Sequence, residues 1–419
     1  MQLAGLLLTF AVVLTLVARR VELGTSLVVG TGLLALTSSM APGDLTASVW
    51  RALTDPGTVE LLLGVAVITS LAGVLREFGL LDTMVRSVTR LVGGARLAIM
   101  AVPSIIGALP VIGGAILSAP MVDGLGDSLG LSRMRKAAIN LIFRHAWFFI
   151  APFTPSLVLA ARLAGVPLDA LILRNLPFTA VMLVGGYLVL LQRARPTAAE
   201  SAASADAGDT DGAGTARRAA LAVFLTSASP LIVGVILSVG LGPLRPPIYL
   251  SVGLGLVLAL ILSRGHEGFR LLGLPAAWAG IQWKIVYAMA GVMVFSRVMT
   301  DSGASGALVS RLVEAGLPPW VLTLLLPMAV GFVSGVPTVH VGIALPVVLP
   351  LVHPDQLAAV TAVLYTSGFI AYFMSPVHLC QIFSGQYFGV SPTRLYREYW
   401  PVMVLMTACA VACAWAALG

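Results

Sequence analysis

Apolar runs long enough to cross a bilayer as helices recur from end to end of the sequence, separated by short polar loops. Clear examples lie at 1–18, 21–38, 58–76, 225–242, 245–262 and 282–300. The first run lacks a basic start and a small-residue cleavage site, so it is expected to be a retained helix rather than a signal peptide. One stretch interrupts the pattern. Residues 193–218 are rich in Ala, Ser, Asp and Gly with no apolar period, and they read as a disordered linker.

The linker separates two stretches, 1–192 and 219–419, that resemble each other. Adding 224 to Gly79, Pro103, Gly107, Gly165 and Pro177 gives Gly303, Pro327, Gly331, Gly389 and Pro401. Glu77 and Asp301 share the offset, as do Val74 and Val298. The apolar runs align too: 1–18 with 225–242, 21–38 with 245–262, and 58–76 with 282–300. The string Phe149-Ile150-Ala151 recurs as Phe369-Ile370-Ala371 at a nearby offset. Agreement of this kind points to an internal duplication.

Basic residues orient the chain. Arg19 and Arg20 follow the first run, which puts the N-terminus outside, and the run ending at Arg76 then terminates inside. Residues 97–121 have Arg86, Arg90 and Arg96 before them and Arg133, Arg135 and Lys136 after them. An apolar stretch with positive charge on both sides enters and leaves by one face. Its centre, GALPVIGGAILSAP, carries the Gly and Pro that break a helix, so it reads as a re-entrant hairpin. Arg193 and Arg195 keep the linker inside, and residues 318–350 form the matching hairpin from the other face. The expected fold is all-α and integral to the membrane. It has two inverted repeats of five transmembrane helices, each with a re-entrant hairpin and a broken helix. The plain alternative is twelve simple, kinked helices.

Composition narrows the classes. Of 419 residues, 58% are hydrophobic and 10% charged, against about 25% charged in a soluble domain. The net charge of +7 sits in short loops, where it signals topology rather than nucleic-acid binding. Cys380, Cys409 and Cys413 lie in apolar stretches without metal-ligand spacing and read as free thiols. There is no P-loop, no H-E-x-x-H, and no recognisable nucleophile–base pattern. An enzyme, a resident cofactor and a bound metal are therefore not expected.

The breaks concentrate the candidate chemistry. The hairpin tips hold Pro110, Gly113 and Gly114 in the first half, with Ser118 just beyond, and Ser334, Gly335, Pro337 and Thr338 in the second. The Pro-interrupted helices hold Thr154, Pro155 and Ser156, and then Ser375, Pro376 and His378. Unpaired backbone groups at membrane depth are tolerated where they line a cavity, and facing half-helices offer N–H groups to anions and carbonyls to cations. Arg144, within NLIFRHAWFFIAPF, is a candidate bidentate anion clamp. The bland reading is that it snorkels to the interface, roughly 12 Å from Pro152 at about 1.5 Å per residue. His145 and His340 are candidates to carry a coupling proton, and His378 to bind substrate; each is also readable as a structural histidine. Asp123 is the nearest acid, a candidate cation ligand or a helix-flanking surface group.

The strings GGAILSAPMVD, NLIFRHAW and SPVHLCQIFSGQYFGV resemble a prokaryotic membrane family catalogued as domain of unknown function 401, over nearly the whole chain. That family is grouped with the ion-transporter superfamily, beside citrate, gluconate and arsenite permeases. The resemblance implies inverted repeats, re-entrant hairpins, dimerisation and an elevator-like movement. It also leads one to expect an acid shortly after the Arg-His pair, where this sequence has Phe148 and Phe149. The Ser-Asn-Thr tips of dicarboxylate carriers are absent.

The expected function is ion-coupled secondary transport of a small, anionic solute across the prokaryotic inner membrane, with Na+ or H+ as coupling ion. The expected partners are the solute, lipid and a second copy of the chain. A cation/proton antiporter is the nearest rival reading, and an intramembrane enzyme the more distant one.

Overall fold

The computed structural model describes residues 2–111, 113–194, 212–239, 246–265, 269–304 and 319–418, with 306, 307, 310, 314 and 316 between the last two. Residues 195–211, most of the expected linker, lie outside them. Among the described residues the regular structure is helical throughout.

The first half runs α1 (Gln2–Ala18), α2 (Leu23–Thr37), α3 (Pro42–Thr54), α4 (Pro56–Glu77), α5 (Leu80–Leu91), α6 (Ala95–Gly107), α7 (Gly114–Ser128), α8 (Arg133–His145), α9 (Pro155–Ala164) and α10 (Leu168–Ala180). The last continues through π-helical turns to Leu191. The second half runs α11 (Gly212–Val239), α12 (Ile248–Leu262), α13 (Phe269–Gly280), α14 (Trp283–Asp301), α15 (Pro319–Ser334), α16 (Pro337–Val348), α17 (Leu357–Phe373), α18 (Leu379–Phe388) and α19 (Pro392–Leu418). Local chemistry sets these ends. Asp55 caps α4 by accepting from the Thr58 N–H at 2.8 Å, with Pro56 at the first helical position. Gly165 and Gly389 end α9 and α18 in the left-handed region, at φ 63° and 64°.

Among the described residues, six helices are long and apolar enough to cross a membrane, and a seventh span forms if α13 and α14, bent by 41° at their junction, count as one. Their outer faces carry bare apolar side chains such as Leu173, Leu254, Trp278 and Trp415, the surface a lipid or a partner helix covers. The sequence did not foresee α3, a short amphipathic helix between the second and third apolar runs.

Other helices are short and at least partly buried. With 13 residues, α6 spans roughly 20 Å at about 1.5 Å per residue, short of a hydrocarbon core about 30 Å thick. Helices α9 and α18 have 10 residues each. Residues 360–373 of α17 are buried without exception, as are 136–145 of α8. Long helices with bare outer faces thus flank interrupted elements, of which α8, α9 and α17 are deeply buried.

Contacts repeat between the halves with partners exchanged. Helix α2 packs on α14 while α12 packs on α4, and α3 packs on α14 while α13 packs on α4. Inside, α7 packs on α18 while α16 packs on α9, and α8 packs on α19 while α17 packs on α10. Two groups result: α1–α4 with α11–α14, and α6–α10 with α15–α19. They meet through α1 against α15, α4 against α9 and α14 against α16, and Arg162 of α9 pairs with Asp55 ahead of α4.

Candidate functional site

Arg144 occupies the last turn of α8 and is 4% exposed. Rather than snorkelling, it turns to the tip that joins α6 to α7. One terminal nitrogen donates to the Val111 carbonyl at 3.3 Å. Gly114 lies against the guanidinium so closely that a β-carbon there would collide with it. Gly113, at φ 71°, lets the chain turn into α7. The Nε and the other terminal nitrogen of Arg144 have no hydrogen-bond partner. No acidic side chain pairs with Arg144 among the described residues. A buried cation in that condition is costly, so the site favours an incoming negative charge.

The next residue belongs to a different network. His145 is fully buried, its Nδ1 donating to the Leu141 carbonyl at 2.8 Å. Its Nε2 faces the Tyr372 hydroxyl at 3.2 Å, and that hydroxyl lies 2.8 Å from Nε2 of His378. His378 in turn donates from Nδ1 to the Phe373 carbonyl at 3.2 Å. The two imidazoles stand edge-on with centroids 5.0 Å apart. Phe148 stacks against His145 at 4.8 Å and Phe373 meets its other side at 5.2 Å. Phe148, where the resemblance suggested an acid, thus serves as an apolar wall. Ligand atoms of His145, His378 and Cys380 lie within 4.8 Å of one another. The Tyr372 hydroxyl lies between the two imidazoles, and Arg144 adds a positive charge nearby.

The second tip meets the second break. Gly335 has φ 61°, and a β-carbon there would lie 2.7 Å from the Val377 side chain and 3.2 Å from the His378 backbone nitrogen. Ser375 donates to the Phe332 carbonyl of α15 at 2.6 Å and caps the Val377 N–H at 3.3 Å. Beside them is a hollow of about 410 Å³ lined by Met328, Phe332, Ile370, Ala371, Met374, Pro376 and Tyr396. The half-helices that follow the breaks start at Pro155 and Leu379. The first break reaches well ahead of Thr154, because α8 ends at His145 and a 3-10 turn at Ala146–Phe149 follows.

The remaining candidates separate. Ser118 donates within reach of Asn140 Oδ1 at 2.5 Å, and Asn140 donates to Ala115 O at 2.9 Å and to Ser384 Oγ at 3.0 Å. Ser156 bonds the Tyr365 hydroxyl at 3.0 Å, which donates to the Phe148 carbonyl at 2.9 Å. Thr154 is the buried residue ahead of α9 and makes no side-chain cap. Thr338 is half-buried in the first turn of α16. His340 is fully buried with neither ring nitrogen in a well-formed hydrogen bond, close to the Tyr365 backbone and pressed on Gly368. Asp123 is engaged by Lys136 at 2.7 Å, which also pairs with Asp127; this surface clamp leaves it away from the tips. Asn140, Tyr372, Ser384 and Gln282 had not been singled out. Gln282, at the α13–α14 bend, donates to the Pro110 carbonyl at 2.6 Å and holds the first tip.

Apolar helices of spanning length around a buried polar centre define the class, a multi-pass helical membrane protein. The chain belongs to the family described as Protein of unknown function (DUF401), whose profile matches residues 2–207 and 217–418. No curated protein matches it.

Proposed function

We propose that this chain is a secondary active transporter for a small anion in the prokaryotic inner membrane, its N-terminus outside. The observation that carries the reading is Arg144: a cation buried at a helix-hairpin tip with two nitrogens unpartnered and no carboxylate beside it. The exchanged contacts between halves, and α9 matching α18 at both ends with an offset of 224, support an inverted duplication, residues 1–192 against 219–419. In that duplication α6–α7 and α15–α16 are the re-entrant hairpins, and α8–α9 and α17–α18 the broken helices. The group α6–α10 with α15–α19 would move as the elevator against α1–α4 and α11–α14, in a homodimer held by the latter. Na+ or H+ would drive it. A cation/proton antiporter fits less well, since the buried centre offers no carboxylate among the described residues and Asp123 is held by Lys136. An intramembrane enzyme also fits less well: Cys380 lies within 4.8 Å of His145 and His378, but Nε2 of each ring faces the Tyr372 hydroxyl rather than the thiol.

Calorimetry of purified protein with phosphate, sulfate, acetate and citrate tests the reading. Arg144→Gln should weaken binding of the anion that wild type takes by about 1.5–3 kcal/mol, roughly 10- to 150-fold. Arg144→Lys, which keeps charge without the planar fork, should fall between. Equal affinity in a well-folded Arg144→Gln protein would remove Arg144 from the site.

A further inference from the structure

The chain Leu141 O–His145–Tyr372–His378–Phe373 O contains four hydrogen-bond contacts. Carbonyl oxygens only accept, so each Nδ1 must carry a hydrogen, which leaves both Nε2 atoms bare in neutral rings. Tyr372 has a single hydroxyl hydrogen for two Nε2 acceptors. It serves His378 at 2.8 Å, and the longer 3.2 Å contact to His145 then sets a nitrogen lone pair against an oxygen lone pair. Four contacts share three hydrogens.

We infer that the His145–Tyr372–His378 chain is a seat for one additional proton and that this proton is the coupling ion; only its role in coupling rests on the transport reading above. A proton from water adds to His145 Nε2, which then donates to the Tyr372 oxygen, and every contact holds one hydrogen. Transfer follows without further reactants. The N–H bond at His145 breaks as an O–H bond forms on Tyr372, whose original hydrogen passes to His378 Nε2. The proton thereby crosses from α8 of the first half to the second break. The titratable and charged groups facing the chain are Arg144 from α8, Tyr365 from α17 and Cys380 from α18, with no carboxylate among them. Arg144 is a like charge, so the seat fills readily only once an anion neutralises the guanidinium. Anion and proton are thus bound together, which is the requirement for symport.

Nuclear magnetic resonance of full-length protein carrying 15N-histidine in detergent tests this. The chain has five histidines, and His145→Asn and His378→Asn assign the two that matter while an amide keeps the bond to Leu141 or Phe373. At alkaline pH both rings should show a proton on Nδ1 and a bare Nε2. Acidification should add one proton to the pair, averaged over both rings, and removing either ring should abolish the averaging. At fixed pH, sulfate or citrate should raise the protonated fraction. An Nε2–H tautomer in either ring at alkaline pH, independent protonation of both, or a spectrum altered by a metal chelator would overturn the proton seat. A single shared proton that ignores sulfate and citrate would leave the seat standing and remove Arg144 as the anion site.

Discussion

The backbone carbonyl of Arg144 rests directly on Gly107 of α6, so closely that a β-carbon at 107 would overlap its oxygen. Gly331 stands in the same relation to the Gly368 carbonyl, each partner 224 residues on. Both glycines let the outer arm of a tip lie against a broken helix. Gly107→Ala and Gly331→Ala should therefore each cost about 1–3 kcal/mol through overpacking. Melting in detergent checks this, with Gly124→Ala as comparator, since a β-carbon there meets nothing within 4 Å. Indistinguishable melting curves for all three would mean that the close approach is absent.

At Gly114 the collision would be with the Arg144 side chain instead of backbone. Gly114→Ala should fold yet displace the guanidinium from Val111, lowering anion affinity about tenfold, or ~1.4 kcal/mol. Gly113→Ala meets open space and is strained only by its φ of 71°, so it should affect stability more than affinity. Titration calorimetry of the two variants distinguishes these effects; the reverse order would argue against a tip that positions Arg144.

Asn140 bonds Ala115 within the first half and Ser384 within the second. Truncating it to Ala leaves buried polar groups unpaired at about 1–3 kcal/mol each. A double-mutant cycle of Asn140→Ala with Ser384→Ala should show a coupling of at least about 0.5 kcal/mol. Strict additivity would mean that α8 and α18 do not meet through this amide.

The sequence made the interruptions visible because Gly and Pro act on the backbone locally. Gly113, Gly335 and Pro155 stand at real helix ends, and Pro376 lies within the break between α17 and α18. Side-chain partnerships were less legible. His145 and His378 stood out as ionisable groups in apolar surroundings, but Tyr372, which joins them, reads as one more aromatic in an apolar run. Asn140 gave a faint signal, a lone amide among NLIF. Asp123 seemed close to the tip in sequence, yet α7 carries it roughly 14 Å along its axis from Gly114 at about 1.5 Å per residue, into the reach of Lys136. Arg144 was measured against Pro152, whereas its partner is the tip of α6–α7, more than thirty residues earlier in the chain.

Orientation is open to a direct check. In a background lacking Cys380, Cys409 and Cys413, a cysteine placed by Ser204→Cys should resist an impermeant thiol reagent in intact cells and react after lysis. Reaction from the periplasm would invert the arrangement and with it the assignment of the N-terminus.

The exchange of partners between halves has a consequence for synthesis. When the ribosome has released only α1–α10, α7 lacks α18, α9 lacks α16, and the Asn140 amide has no Ser384 to receive it. The early half is therefore incomplete inside the bilayer, and its polar groups wait for residues translated some two hundred positions later. Insertion machinery must shelter that half until the second arrives. A gene cut within 195–211 should yield two fragments that are each degraded when expressed singly and persist when expressed together.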